Sequence, residues 1–408
     1  MINDSPAFPA LRFPSGLDAE GFLARYWQRR PLLMRQALPG FENPLPADEL
    51  AGLACESDVE ARIVLERSEQ GPWQLLHGPF APERFAALPA THWTLLVQDV
   101  DKHIPEIGAL LERFRFLPNW RLDDIMVSYA EDQGSVGPHV DDYDVFLIQA
   151  EGRRRWRIAT RADAPLELLP DLEIKILERF EPDHEWLLEP GDILYLPPGV
   201  PHWGVAEGAC QTWSVGLRSP SWGELADDWL AEVAERFTPA GRWRDPSPDG
   251  GSVAVTPDDP AELTAATIAS MRTQIESGIA AAGCDDFAVW LGKWMTEPKL
   301  NLELAPPEPS WPVSAVIALL ESRGALQRDG RSLLLFARSS EPVGPVLLFA
   351  NGEDHRLPAE LAPFVSLLAN GRELEAGRVR PWLDQEPAQA LLATLFNAGH
   401  YRVPDESA

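Results

Sequence analysis

Three residues of this sequence have the donor atoms and the spacing to hold a metal from one side: His139, Asp141 and His202. The first two are separated by one residue in Gly137-Pro138-His139-Val140-Asp141. A strand alternates its side chains, so this pair shares a face. His202 returns about 60 residues later, after a run of strand and turn signals that ends in Pro197-Pro198-Gly199-Val200-Pro201. Two imidazoles and one carboxylate on neighbouring strands would occupy one face of an octahedron. Three positions would stay open, the pattern that binds Fe(II) for oxygen chemistry. Taken singly, each piece has a plainer reading. A His-x-Asp can be a hydrogen-bonded strand end, and a Pro/Gly turn often sets a polar residue at a barrel mouth.

Arg154 is the third element. In Arg153-Arg154-Arg155-Trp156-Arg157-Ile158, alternation groups Arg154 with Trp156 and Ile158, and leaves Arg153, Arg155 and Arg157 on the opposite face. A cation on an apolar face is costly unless an anion meets it, and the planar guanidinium fork suits a carboxylate. That anion is either an internal acid, with Asp124 and Asp192 as candidates, or a ligand. A metal triad with an inward arginine implies a dicarboxylate that chelates iron at one end and meets the arginine at the other, which describes 2-oxoglutarate.

These residues need a barrel. Strand signals recur at 122–130, 145–149, 156–159, 186–189, 193–196 and 212–217, with Gly/Pro turns and no long helix between them. Such spacing argues for a double-sheet jelly roll, or double-stranded β-helix. Alternation on 122–130 puts Asp124, Met126 and Ser128 on one face. Ser128 is a candidate donor to the distal carboxylate beside Arg154, and Asp124 a candidate partner for a substrate guanidinium. Tyr143 continues the His139–Asp141 face toward the entrance, and Ser214 shares a face with Thr212 and Gly216. Upstream, helices are expected at 18–27, 47–56 and 101–114, and strands at 29–35, 61–66 and 93–98. His77, His92, His103 and His184 have no partner at metal spacing.

The runs Asp124–Tyr129, Val136–Gln149, Gly152–Trp156 and Gly191–Gly199 resemble the bacterial ribosomal oxygenases, densely from about Phe22 to Leu217 and more loosely beyond. Those are JmjC-type, cupin-fold 2-oxoglutarate enzymes that hydroxylate an arginine of ribosomal protein L16. Histidyl hydroxylases of eukaryotic nucleoli are relatives. The resemblance implies Fe(II), 2-oxoglutarate and O2 as cofactor and cosubstrates, with His139, Asp141 and His202 on the metal and Arg154 on the cosubstrate. It also implies that Asp124, Tyr143 and Ser214 contact the substrate arginine, and that the chain forms a homodimer.

Composition sets the outer limits. The chain has 408 residues and a formal net charge of −28, which argues against general nucleic-acid binding and favours a basic protein partner. Ribosomal proteins such as L16 are basic. Cys55, Cys210 and Cys284 form no zinc or redox motif, and sparse cysteine fits a reducing compartment. With no apolar run approaching a membrane span and no signal-peptide pattern, a cytoplasmic protein is expected. Three units are expected: a catalytic JmjC/cupin domain over 1–218, a helical dimerisation region over 219–304, and a winged-helix-like domain over 305–408 after the proline-rich 305–312. The whole is an α+β chain. The helical region should hold a helix from Ser221 to about residue 237, a Pro/Asp/Gly-rich loop at 238–259, and helices at 260–282 and 285–295, with Trp290, Leu291 and Trp294 exposed-looking. The last unit should hold helices at 313–323, 358–370 and 386–398 and strands at 332–337, 346–350 and 400–403. Alternatives are a histidyl hydroxylase or demethylase, a cupin binding module without catalysis, and, with less support, a metal-dependent sugar-phosphate isomerase.

Overall fold

The computed structural model describes residues 8–66, 72–236, 263, 265–283, 287–339, 341 and 344–404. The 238–259 loop, the first seven residues of the lead-in and Cys284 lie outside them. In chain order the first eleven strands are β1 (Leu32–Met34), β2 (Ala61–Leu65), β3 (Gln74–His77), β4 (Trp93–Val97), β5 (Leu122–Ala130), β6 (Val145–Glu151), β7 (Arg154–Ile158), β8 (His184–Leu188), β9 (Ile193–Leu196), β10 (His202–Ala206) and β11 (Cys210–Leu217). They form an eight-stranded sheet in the order β1-β9-β6-β11-β5-β4-β2-β3 and a three-stranded sheet in the order β10-β7-β8. All their pairings are antiparallel.

Alternation explains the layering. On β6, Phe146 and Ile148 join Ile125, Val127, Trp213 and Val215 in a core on the outer face of the large sheet, with Phe22 and Phe114 from the helical cover. Val145 and Leu147 point the other way and meet Trp156, Ile158, Leu188, Leu194 and Leu196 between the sheets. One face of the large sheet therefore carries helices and the other closes the jelly roll. The second core fills only part of the interior. Toward the β5–β11 end, polar side chains take over.

The expected helix at 101–114 is broken into Val100–His103, Pro105–Gly108 and a 3-10 stretch Ala109–Phe114. Pro105 has no N–H to give and starts a new helix. His202–Ala206, not among the strand segments expected by range, is a strand, in keeping with the placing of His202 on a strand after the Pro/Gly turn. The helix Trp222–Arg236 begins with a capping box in which Ser221 Oγ accepts from Glu224 N at 3.1 Å and Glu224 Oε2 accepts from Ser221 N at 2.9 Å. Helices Ala265–Gly283 and Phe287–Thr296 follow. Trp290 is buried, not exposed: its ring packs tilted against Trp229 and Phe287 and donates to Asp228 at 2.6 Å.

Beyond them come β12 (Ala325–Arg328), β13 (Leu334–Arg338), β14 (Val346–Ala350), β15 (Glu353–Leu357), β16 (Glu373–Glu375) and β17 (Tyr401–Arg402). They make two small sheets, β16-β12-β17 and β13-β14-β15, around a separate core with the helices Val313–Arg323, Ala362–Asn370 and Glu386–Asn397. Among the described residues, no helix is long and apolar enough to cross a membrane.

Candidate metal centre and substrate cavity

His139 lies in the loop leaving β5 and His202 opens β10. The two are joined by a small antiparallel bridge: His139 N donates to His202 O at 3.0 Å and His202 N to His139 O at 2.9 Å. Gly137, with φ +80, supplies the left-handed turn before His139 that a side chain would strain. Each imidazole is then fixed by its own backbone. His139 Nδ1 donates to Gly137 O and His202 Nδ1 to Val200 O, both at 2.9 Å. A carbonyl only accepts, so each Nδ1 carries the proton and each Nε2 keeps its lone pair. Asp141 Oδ2 is 3.6 Å from His202 Nε2, and Oδ1 is 4.0 Å from His139 Nε2. The three ligand atoms lie within 4.8 Å of one another. Burial, and then His139, push the His202 pKa down to about 4. The neutral imidazole is the form a metal needs.

These residues open into a cavity of about 550 Å³ whose wall includes Arg154, Ser128, Thr212, Ser214, Asp124 and Tyr143. Arg154 is 5% exposed, on the apolar face of β7 with Trp156 and Ile158, as alternation requires. Its neighbours Arg155 and Arg157 point outward to Glu207 and Glu185. Neither internal acid considered for Arg154 pairs with it. Asp192 is taken by Arg35 at 2.6 Å, and Asp124 by Gln98 at 2.5 Å. Arg154 Nη1 donates to Ser128 Oγ at 3.3 Å, while its buried Nε and Nη2 have no acceptor among the described residues. A buried cation without an anion is costly, and a carboxylate at this end of the cavity would answer it.

The other end is acidic. Asp124 is 3% exposed, accepting from Gln98 Nε2 at 2.5 Å and Asp99 N at 3.2 Å. Its pKa is pushed up to about 7 by burial first and then by Asp99 and Asp123. The register sets Gly216 opposite Asp124, and a Cβ there would stand 2.9 Å from Asp124 Oδ1. Thr212, Ser214 and Gly216 line one side of the cavity, because Trp213 and Val215 are committed to the opposite core. Tyr143 stands 43% exposed in the cavity wall. Sequence reasoning missed Gln98, Arg62 and Lys175, which also line it. A local signal existed for Gln98, since alternation carries the inward Leu96 of β4 to position 98.

The lone histidines stay out of the cavity wall; His77 pairs with Glu173 at 2.7 Å.

A jelly roll with a His-x-Asp and a distant His at its mouth is JmjC architecture, and the family model described as JmjC domain matches residues 109–225. A second model, described as ROXA-like winged helix, matches residues 276–402. The chain is 35% identical over 387 residues to the Ribosomal protein uL16 3-hydroxylase of Escherichia coli K12, covering 94% of this chain and 97% of that protein. It is 41% identical over 215 residues to a Probable ribosomal oxygenase of Haemophilus influenzae, covering 52% of this chain and 53% of that one. Among solved structures, E. coli YcfD matches with a TM-score of 0.83 at 34% identity, over 96% of this chain and 99% of that one. YcfD in complex with cobalt and 2-oxoglutarate matches with a TM-score of 0.79 at 35% identity, over 96% and 98%. This chain belongs to the ribosomal oxygenase family of JmjC-domain proteins.

Proposed function

We propose that the chain is an Fe(II)- and 2-oxoglutarate-dependent oxygenase that hydroxylates the β-carbon of an arginine of ribosomal protein uL16. The observation that carries the reading is the buried guanidinium of Arg154, with two free N–H donors, in the same cavity as the His139–Asp141–His202 triad. The names of the relatives agree with it, one a uL16 3-hydroxylase and one a ribosomal oxygenase holding 2-oxoglutarate.

His139, Asp141 and His202 would hold iron, and Arg154 with Ser128 would hold the far carboxylate of the cosubstrate. Iron, 2-oxoglutarate and O2 together supply the oxidising chemistry, with succinate and CO2 as co-products. The protein supplies orientation. Backbone carbonyls keep both Nε2 atoms turned inward, Arg154 fixes which end of the dicarboxylate faces the triad, and Asp124 receives the substrate guanidinium through charge-assisted hydrogen bonds. Tyr143 and Ser214 line the path of the substrate chain. A carboxylate at this position favours a cation over neutral imidazole, which sets arginine ahead of histidine.

The net charge of −28 suits a basic ribosomal protein as partner, and a ribosomal substrate would place the chain in the cytoplasm. The functional units are 1–218 for catalysis, 219–304 for dimerisation and 305–408 for a winged-helix-like domain. Ile268, Met271 and Ile275 stand exposed at helical spacing on Ala265–Gly283, which supports a homodimer through that region.

The test incubates the protein with Fe(II), 2-oxoglutarate and a uL16 fragment and searches by mass spectrometry for one added oxygen. A 2-oxoglutarate-dependent gain on arginine, absent in His139→Ala, is expected. Succinate without modified arginine overturns the substrate, and neither product favours the binding module.

A further inference from the structure

Below the acidic end of the cavity, four carboxylates crowd together: Asp99 and Asp101 at the start of Val100–His103, and Asp123 and Asp124 on β5. Asp99, Asp101 and Asp124 are each at most 3% exposed. Three cations answer them. Lys102 Nζ lies 2.6 Å from Asp101, Arg218 Nε lies 3.2 Å from Asp123, and Lys299 Nζ lies 2.7 and 3.0 Å from the two oxygens of Asp99. Lys299 is also 3.9 Å from Asp123. The carboxylate left with neutral donors is Asp124, which with Asp123 lines the cavity that holds the triad.

Lys299 comes from the segment after the helix Phe287–Thr296, within the span matched by the winged-helix model. Asp99 is the residue it grips, and Asp99 has φ 55 and ψ 28, a left-handed conformation that L-residues rarely adopt. In that conformation the Asp99 N–H reaches Asp124 Oδ2 at 3.2 Å. The side chain of Asp99 is thus tied to the C-terminal segment while its backbone holds the substrate-side carboxylate.

We propose that Lys299 is a positioning residue of the substrate site, through which the C-terminal segment holds Asp99 in its left-handed turn and keeps Asp124 an anion ready for a cationic side chain. This rests on reading Asp124 as the guanidinium receptor. The electrostatics point the same way. Burial first, and then Asp99, Asp123 and Asp101, raise the Asp124 pKa, and Lys299 lowers it. Without Lys299, Asp124 would ionise only at higher pH. The other groups around Asp124 are Lys102 beside Asp101, Arg218 on Asp123, Arg62 of β2 against Gln98, and Tyr143 with Asp141 from the triad loop.

The test uses the full chain with Fe(II), 2-oxoglutarate and a uL16 fragment containing the target arginine, comparing KM and kcat of wild type, Lys299→Met and Lys299→Arg from pH 6.5 to 9. A rise of one unit from about 7 cuts the anionic fraction at pH 7 from about one half to about one tenth. Lys299→Met should therefore raise the peptide KM by about fivefold at pH 7, with the deficit falling on KM and closing toward pH 9. Lys299→Arg should recover most of it. Lys299→Gln, which keeps a hydrogen bond to Asp99 without the charge, replaces the Met variant if that one fails to fold. A peptide KM equal to wild type at pH 7, or a deficit of the same size at every pH, overturns the proposal while leaving arginine hydroxylation in place. Wild type that never modifies arginine removes the guanidinium reading and the proposal with it.

Discussion

Replacing Arg154 with Met tests the unpaired cation directly. Met keeps much of the apolar stem and removes the fork, so the anion site disappears together with the guanidinium contact over Trp156, at 5.7 Å from the ring centroid. Two buried donor nitrogens, Nε and Nη2, have no acceptor among the described residues. A hydrogen bond to a charged group contributes about 1.5–3 kcal/mol, so two to one carboxylate amount to roughly 3–6 kcal/mol. Even the lower figure is more than a hundredfold in affinity. Steady-state succinate formation should show a KM for 2-oxoglutarate raised at least about a hundredfold. Calorimetric titration with Co(II) should still find the triad. The ligand-free melting temperature makes a second readout. An unpaired buried cation is a desolvation cost, so Arg154→Met should melt at or above wild type, against the usual direction for a buried substitution. Saturating 2-oxoglutarate at a hundred times its Kd should stabilise wild type by about 2.7 kcal/mol and leave the variant unmoved. A KM within twofold of wild type, together with a melting temperature several degrees lower, would mean that Arg154 serves the fold and that the cosubstrate is anchored elsewhere.

Asp141→Ala removes the carboxylate between the two imidazoles and should abolish both turnover and stoichiometric Co(II) binding; calorimetric binding at wild-type strength would reject Asp141 as a ligand. Gly216→Ala places a methyl 2.9 Å from Asp124 Oδ1 and should raise the peptide KM by about tenfold or more, a loss of order 1.4 kcal/mol in the pair it displaces. An unaltered peptide KM would detach Asp124 from substrate binding. Asp124→Asn should change the pH dependence of stability. The folded pKa of Asp124, about 7, lies above its ordinary value, so the folded state keeps the proton longer and loses stability as pH rises through 7. Asn does not titrate, and its melting temperature should gain on wild type between pH 5 and 8; a constant gap would contradict the buried charge.

The triad was legible because its determinants are local. One residue of spacing sets His139 beside Asp141, and the Pro197–Gly199 turn announces His202. The Arg154 face followed from alternation and fits the alternating burial along β7, where Arg154, Trp156 and Ile158 are buried and Arg155 and Arg157 are not. What decides its role is long-range. Whether Asp192 or Asp124 neutralises Arg154 depends on Arg35, 157 residues from Asp192, and on Gln98, 26 from Asp124. No local pattern carries those separations. The same holds for Lys299, 200 residues from Asp99. Errors in the fold have the same source. Trp290 looked exposed because its partner Trp229 lies on another helix, and β10, β15 and β16 are short pieces whose pairing is written in the neighbouring strand.

Two opposite defects of charge sit in one cavity, and each explains the other's survival. Arg154 keeps two N–H donors without an acceptor, while Asp124 keeps a carboxylate without a cation. They would neutralise one another if they met. The β5 register prevents it, because Ser128 separates from Asp124 by two inward positions and Met126 fills the step between them. A fold selected for stability alone would close that gap or replace both ends with apolar groups. Kept apart, they give one cavity a buried cation and a buried carboxylate, with the triad in the same wall. That polarity would suit a dicarboxylate at the Arg154 end and a guanidinium at the Asp124 end.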